Sequence, residues 1–472
     1  MKRALACLAL AFAAPLAAQQ ASTLQPALDA ALAKAPPGTR IGLVVSDAQG
    51  REIVAIQPDQ RFIPASNTKI VTTAAAFTTL PALDQPDISG GATVRLEGRD
   101  VILTGRGDAR LSSAADCVVN CLSQLADAIA ARTKRVRHIV GDATQFPDER
   151  WSSGMSWNNI PYRYGTAISA LSLDDNELVL TVTPGPVGQP PVVRQDGYVV
   201  IDNRATTAQG ARTDIGHDRL PLERVVRVTG TIDAGAGVRT IRTAIDDPAH
   251  YAAWRLATLL RERGVRVSGR IESRYRPPLT PPAAEPAPAP LAALTPPPLL
   301  DDLRIINKDS QNLHAELLIR RVGLTGGLIG SEGGVADGQK QVEAMFTAAG
   351  VDRTAFDFSD GSGMSTYNRI SPRGMVRLLN WITAQPWGGA FRDTLPIGGV
   401  DGTLSRRFKG TPLEGRIFAK TGSINATSAL AGYLIANSGR TLTFAIYAND
   451  MPSGTTATPV MDAALLAVAQ AN

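Results

Sequence analysis

Along the first eighty residues the apolar positions change period. An apolar run from Ile41 to Val45 leads into the polar Asp47-Ala-Gln-Gly50, and Glu52 to Gln57 alternates again, which predicts a β-hairpin. Past Pro64, Ile70, Ala74 and Phe77 recur at the spacing of one helical face, so a helix is predicted over 66–80 with Ser66 at its opening. The texture then changes. Short strand-like pieces at 94–96 and 101–104 precede a predicted helix near 115–131 and a strand at 138–140 that ends in Gly141-Asp142. Alternating runs at 178–182 and 225–228, set among Gly and Pro turns, predict an all-β stretch. The next helix is clearly punctuated, with Asp247 as cap, Pro248 in its first turn, Leu256, Leu259 and Leu260 on its apolar side, and Gly264 as its stop. Residues 277–298 are dense in Pro and Ala and predict an extended linker. Helix returns over 299–322 and 373–381, and three strands are predicted at 417–421, 429–435 and 441–447.

Composition narrows the class. With 44% apolar and 19% charged residues in 472, the chain is globular and long enough for roughly two to four domains. Its net charge of +5, or +3 once Lys2 and Arg3 are removed, is too even to call for an anionic partner, so nucleic acid is not expected. Lys2 and Arg3, the apolar run 4–14 and then Ala17, Ala18 and Gln19 have the three-part layout of a secretory signal, expected over 1–18 with cleavage after Ala18. Cys7 has too few apolar residues ahead of it for a lipid-modified position. No later stretch reaches the ~18 unbroken apolar residues of a spanning helix, so an exported protein without a transmembrane segment is expected. Cys117 and Cys121 either pair in an oxidising compartment or are two buried thiols one helical turn apart. Nothing has metal-ligand spacing, and no cofactor is expected.

Candidate chemistry sits in three short segments. Ser66 and Lys69 share a helical face, which gives a hydroxyl nucleophile an amine neighbour; the amine acts as a base only where burial or a nearby positive charge lowers its pKa. The backbone N–H of Ser66 is also free to donate to a developing oxyanion. By itself S-x-x-K is weak, with about 0.4 chance matches in such a composition. Its company strengthens it: Ser310-Gln-Asn312 stands in a turn at the head of a helix, and Lys420-Thr-Gly-Ser423 on a predicted strand. Three of only eight lysines lie in or beside these segments.

In order and setting the three segments resemble the S-x-x-K, S-x-N and K-T-G motifs of the penicillin-recognising serine enzymes. Ser66 and Ser310 are 244 residues apart, and that separation resembles the low-molecular-mass class C penicillin-binding proteins, the D-alanyl-D-alanine carboxypeptidase/endopeptidase family. Val140-Gly-Asp142 with Phe146, Ser156-Trp-Asn-Asn159, Asn307-Lys-Asp-Ser-Gln-Asn312, Asp360-Gly-Ser-Gly-Met-Ser365 with Asn368, and Asp401-Gly-Thr-Leu404 are similar to that family too.

The resemblance implies an α+β fold: a transpeptidase/β-lactamase-like domain of helices and antiparallel sheet, split by a large, mostly β insertion. The expected domains are catalytic over 22–85 and 295–472, accessory over 86–175 and 243–276, a second all-β insertion over 176–242, and a linker over 277–294. It implies a periplasmic serine D,D-peptidase acting on peptidoglycan stem peptides, with β-lactams as covalent inhibitors and a homodimer as a possible state. Ser66 is then the nucleophile and Lys69 its base. Ser310 relays a proton to the leaving amine, Asn312 holds the substrate amide, and Lys420 supplies positive charge. Thr421, Gly422 and Ser423 pair with the peptide as a strand, with the Ser423 N–H in the oxyanion hole.

Two positions depart from the family pattern: Thr366 stands where an Arg is expected, and Asn425 where a Gln is. Asp142 is either a partner for the diaminopimelate amine or a turn residue after its strand. Asp360-Gly-Ser-Gly363 reads equally as a Gly-rich turn, and His314 as a packing residue. The competing functions are a β-lactamase and a catalytically silent wall-binding protein. The long separation argues against the first, and the intact Ser66, Lys69, Ser310, Asn312 and Lys420 against the second.

Overall fold

The computed structural model describes residues 15–278, 280, 288–325 and 333–472. The apolar run of the expected signal lies outside the described residues, as do positions 279 and 281–287 of the expected linker.

A five-stranded antiparallel sheet forms from both ends of the chain, in the order Ile417–Ile424, Thr427–Ile435, Thr441–Asn449, Arg40–Ser46, Glu52–Ile56. The N-terminal hairpin joins the sheet through the pairing of Val44 with Ala445. Side chains alternate across a strand, so Phe444, Ile446 and Ala448 enter one core while Ala445 and Tyr447 enter another. The first core lies under the terminal helices Pro15–Leu32 and Thr458–Ala471. The second lies under the helices Thr68–Thr79 and Pro372–Thr383. Burial on both faces is why Thr441–Asn449 reads as an almost unbroken apolar run.

The residues of the expected insertion share a third core, which Leu313 and Leu317 also enter. A second five-stranded sheet runs Ile271–Arg276, Ile139–Pro147, Asp100–Thr104, Thr93–Glu97, Ala292–Ala293, with its first two pairings parallel. The helices Leu122–Arg132 and Pro248–Glu262 contribute to the same core. Helix Pro248–Glu262 obeys its punctuation: the Asp247 side chain accepts the N–H of His250, and Gly264 turns left-handed at φ +73°. The strands of the expected second insertion, among them Glu177–Thr183 and Val225–Asp233, send Leu178, Leu180, Val226 and Val228 into this same core.

Three local expectations differ. The helix expected near 115–131 begins at Leu122, because residues 117–121 form a turn closed by a Cys117–Cys121 disulfide; outside a helix the i,i+4 pairing is geometrically accessible. The helix expected over 299–322 is two, Leu299–Lys308 and Asn312–Thr325, broken where Ser310 takes φ +60°. Within the expected linker, Ala292–Ala293 pair with Thr93–Val94 as an edge strand of the inserted sheet. Among the described residues no helix is long and apolar enough to cross a membrane.

Candidate active site

Ser66 sits in a 3-10 turn, Ala65–Asn67, that runs into the helix Thr68–Thr79. It is therefore part of the helical entry rather than a cap on it. Ala65 takes φ +48°, and two glycines let other segments close on this turn. A Cβ at Gly363 would lie 1.9 Å from the Ala65 carbonyl oxygen, and one at Gly422 would lie 2.6 Å from that of Pro64. The helix behind is buried on all sides from Thr68 to Ala76, which explains its small Ala and Thr residues. Asn67 donates from Nδ2 to the Lys420 carbonyl at 2.7 Å, tying the serine turn to the Lys420 strand.

Lys69 is fully buried, and three oxygens surround its Nζ. The Asn312 Oδ1 lies at 2.6 Å, the Ser362 carbonyl oxygen at 2.6 Å and the Ser66 Oγ at 3.0 Å. The Asn312 amide is oriented by its own Nδ2, which donates to the Tyr164 carbonyl at 2.8 Å, so its oxygen faces the lysine. Asn312 Oδ1 and Ser362 O can only accept. A neutral amine gives them its two hydrogens and turns its lone pair to Ser66, the one neighbour with a proton to donate.

Ser310 and Lys420 form the opposite wall. The positive φ at Ser310 turns its side chain out of the break between two helices, and Lys420 donates to its Oγ at 2.9 Å and to the Thr421 carbonyl at 3.0 Å. Beside this break, Lys308 bonds the Leu395 carbonyl at 3.1 Å and the Asp401 carboxylate at 2.5 Å. Thr421 bonds Thr403 at 2.8 Å, Gly422 is buried and Ser423 is exposed, all on Ile417–Ile424, the edge strand of the sheet. The structure thus gathers two hydrogen-bonded groups, Ser66 with Lys69 and Asn312, and Ser310 with Lys420, near enough for the charge of Lys69 to act on Lys420, with Thr421, Gly422 and Ser423 following on the Lys420 strand.

Asp142 makes none of these hydrogen bonds. It is buried in the inserted sheet, where Oδ1 accepts the Thr144 N–H at 3.1 Å and hydroxyl at 2.7 Å, and Oδ2 lies 3.5 Å from Arg274 and 3.8 Å from Arg95. Its carboxylate is occupied by a turn and two arginines. The two departures also have local explanations. The Thr366 hydroxyl donates to the Gly154 carbonyl at 3.2 Å, and Asn425 stands at φ +40° in the hairpin turn, a conformation asparagine tolerates.

Burial drives the electrostatics. It lowers the pKa of Lys69 from an ordinary 10.5 to about 7, against the opposing pull of Asp360 and Glu316. Burial, reinforced by the charge of Lys69, also pushes Lys420 well below its usual value. Glu316 is the participant that the motifs do not contain, and Asp360 the one that its segment also suited to a Gly-rich turn. They lie 44 residues apart in the chain and neither touches Ser66, so only the closed fold relates them to it. His314, by contrast, is buried between Asp175 at 3.0 Å and Asp302 at 3.1 Å; burial opposes its charge, yet the two carboxylates hold it up to about 9. It thereby links the helix of Asn312 to the insertion. Among the described residues no cluster of three or more His, Cys, Asp and Glu is suited to a metal ion.

The chain is similar to known proteins over most of its length. A D-alanyl-D-alanine carboxypeptidase from Actinomadura sp. (strain R39) is 32% identical over 459 residues, covering 92% of this chain and 82% of that protein. The D-alanyl-D-alanine carboxypeptidase DacB of Haemophilus influenzae is 25% identical, over 89% of this chain and 88% of that one. The crystal structure of penicillin binding protein 4 (dacB) from Haemophilus influenzae superposes with a TM-score of 0.78 at 21% identity, covering 93% of this chain and 97% of that chain, so the fold is shared. The family described as D-Ala-D-Ala carboxypeptidase 3 (S13) matches residues 24–471. From that span, and from the relative identical at nearly a third of its positions, the chain belongs to the D-Ala-D-Ala carboxypeptidase 3 (S13) family and is a serine-type carboxypeptidase.

Proposed function

We propose that this enzyme is a periplasmic serine D,D-peptidase that works through an acyl-enzyme on Ser66 and is inhibited by β-lactams. The observation that carries the reading is the placement of Lys69 Nζ 3.0 Å from the Ser66 Oγ, with the Asn312 and Ser362 oxygens as its other two partners. Ser66 Oγ attacks the carbonyl carbon of the penultimate D-alanine while its proton passes to Lys69 Nζ. The N–H groups of Ser66 and Ser423 receive the oxyanion. Collapse breaks the C–N bond, and the leaving amine takes a proton through Ser310, which Lys420 contacts. Water then releases the acyl group. Beyond Ala419, whose N–H donates to Pro396, the edge strand offers Thr421 to Ser423 to an extended peptide, whose terminal carboxylate favours the charged form of Lys420. Substrates of this chemistry are D-alanyl-D-alanine termini and D-alanyl-diaminopimelate cross-links.

Intact-mass spectrometry with and without benzylpenicillin, beside a Ser66→Ala variant, tests the reading. The expected result is a lasting gain of one drug mass that vanishes in the variant. Drug consumed without an adduct would instead favour a β-lactamase, and drug left untouched a silent wall-binding protein.

A further inference from the structure

Glu316 is buried on the helix Asn312–Thr325, one turn beyond Asn312. Its Oε1 accepts the N–H groups of Gly361 and Ser362, each at 3.0 Å, and its Oε2 accepts Arg320 at 2.9 Å and the Ser152 hydroxyl at 3.1 Å. The peptide it grips leads to the Ser362 carbonyl that takes one hydrogen of Lys69. Asp360 holds the same loop from the other side, accepting the N–H of Gly363 at 2.9 Å, that of Ser365 at 2.6 Å and the amide of Asn368 at 2.6 Å. A Cβ at Gly361 would lie 2.6 Å from the Ala315 carbonyl, so the loop packs by backbone and is held by these two carboxylates.

We propose that Glu316 is a positioning residue for Lys69: it fixes the Ser362 carbonyl that orients the amine, and its charge stabilises the ammonium formed when Lys69 takes the Ser66 proton. This rests on the acyl-transfer reading above. Asp360 from its loop and Glu316 from the helix favour the charged amine, Lys420 from the strand opposes it, and Arg320 pairs with Glu316. Burial and the repulsion of Glu316 push Asp360 up to about 6.

Two variants separate grip from charge. In Glu316→Gln the side-chain oxygen still accepts from Gly361 and Ser362, but the charge is gone. The ammonium is then less favoured, Lys69 titrates lower, and the acid limb of the benzylpenicillin acylation rate moves to lower pH by ~0.5 or more. Asp360, freed of repulsion, ionises earlier and takes back part of that movement. In Glu316→Asp the charge stays but the shorter side chain cannot reach both N–H groups. Its acylation rate should fall by roughly tenfold or more with the acid limb in place. A Glu316→Gln limb that stays put, or a Glu316→Asp rate equal to the wild type, overturns the proposal. Each result stands without the other if one variant fails to fold. A wild-type protein that is never acylated would defeat the Ser66 reading instead.

Discussion

Lys69 and Lys420 are both fully buried, and the charge of Lys69 adds to burial in holding Lys420 well below an ordinary lysine. Two buried ammonium groups that repel one another are not both favoured at neutral pH. The site is thereby poised with at least one amine neutral, which a serine hydroxyl requires of its base.

The pH profile follows. Lys69 titrates at about 7, and only its neutral form accepts the Ser66 proton. The acylation rate by benzylpenicillin should therefore rise through pH 7 and fall about tenfold for each pH unit below it. Adduct formation followed from pH 5 to 9, a range set to bracket that value, checks this; a rate still climbing above pH ~9 would mean that Lys69 keeps an ordinary pKa.

Asn312→Asp places an anion where the amide oxygen lies 2.6 Å from Nζ and removes the donor to Tyr164. The carboxylate favours the ammonium, so the acid limb should move to higher pH and the rate at neutral pH fall by roughly 10- to 100-fold. An unchanged limb in a folded Asn312→Asp protein would contradict the hydrogen-bond arrangement around Lys69.

Gly363→Ala tests the close approach behind Ser66. A Cβ there meets the Ala65 carbonyl at 1.9 Å, at a backbone φ of +89°. The substitution should cost about 2–4 kcal/mol in urea unfolding and slow acylation, because relief of the clash moves the Ser66 turn.

Asp142→Asn separates a structural from a substrate role. Its bonds to Thr144 and its nearby arginines predict a loss of roughly 1–2 kcal/mol in stability. The kcat/KM for a diaminopimelate-containing peptide should stay within about twofold of the wild type; a selective rise in KM for such peptides would restore the substrate role.

Replacing Cys117 and Cys121 together by Ser opens a small loop. Loop-closure entropy for so short a separation is at most about 2 kcal/mol, so a modest fall in Tm is expected with acylation unchanged.

The sequence by itself determined that Ser66 stands beside Lys69, and it carried the two other motifs, because each requires a fixed residue type at a fixed local spacing. Ser66 and Lys69 lie on one helical face whatever the rest of the chain does, and Lys420 to Ser423 alternate along a strand. It also determined the helix Pro248–Glu262, whose cap, first-turn proline and terminal glycine are all local. Only the tertiary structure decided what surrounds the amine. Lys69 meets Asn312 across 243 positions and Ser362 across 293, and Glu316 reaches Gly361 across 45, so no periodicity links them. Asp142 shows the converse. Its place after a strand was legible, but whether its carboxylate faces a substrate or a turn depends on Thr144, Arg95 and Arg274, which only the closed sheet assembles around it. Local spacing supplies a hydroxyl beside an amine; burial, which lowers Lys69 to about 7, belongs to the packed molecule because desolvation exists only once other segments have displaced the water.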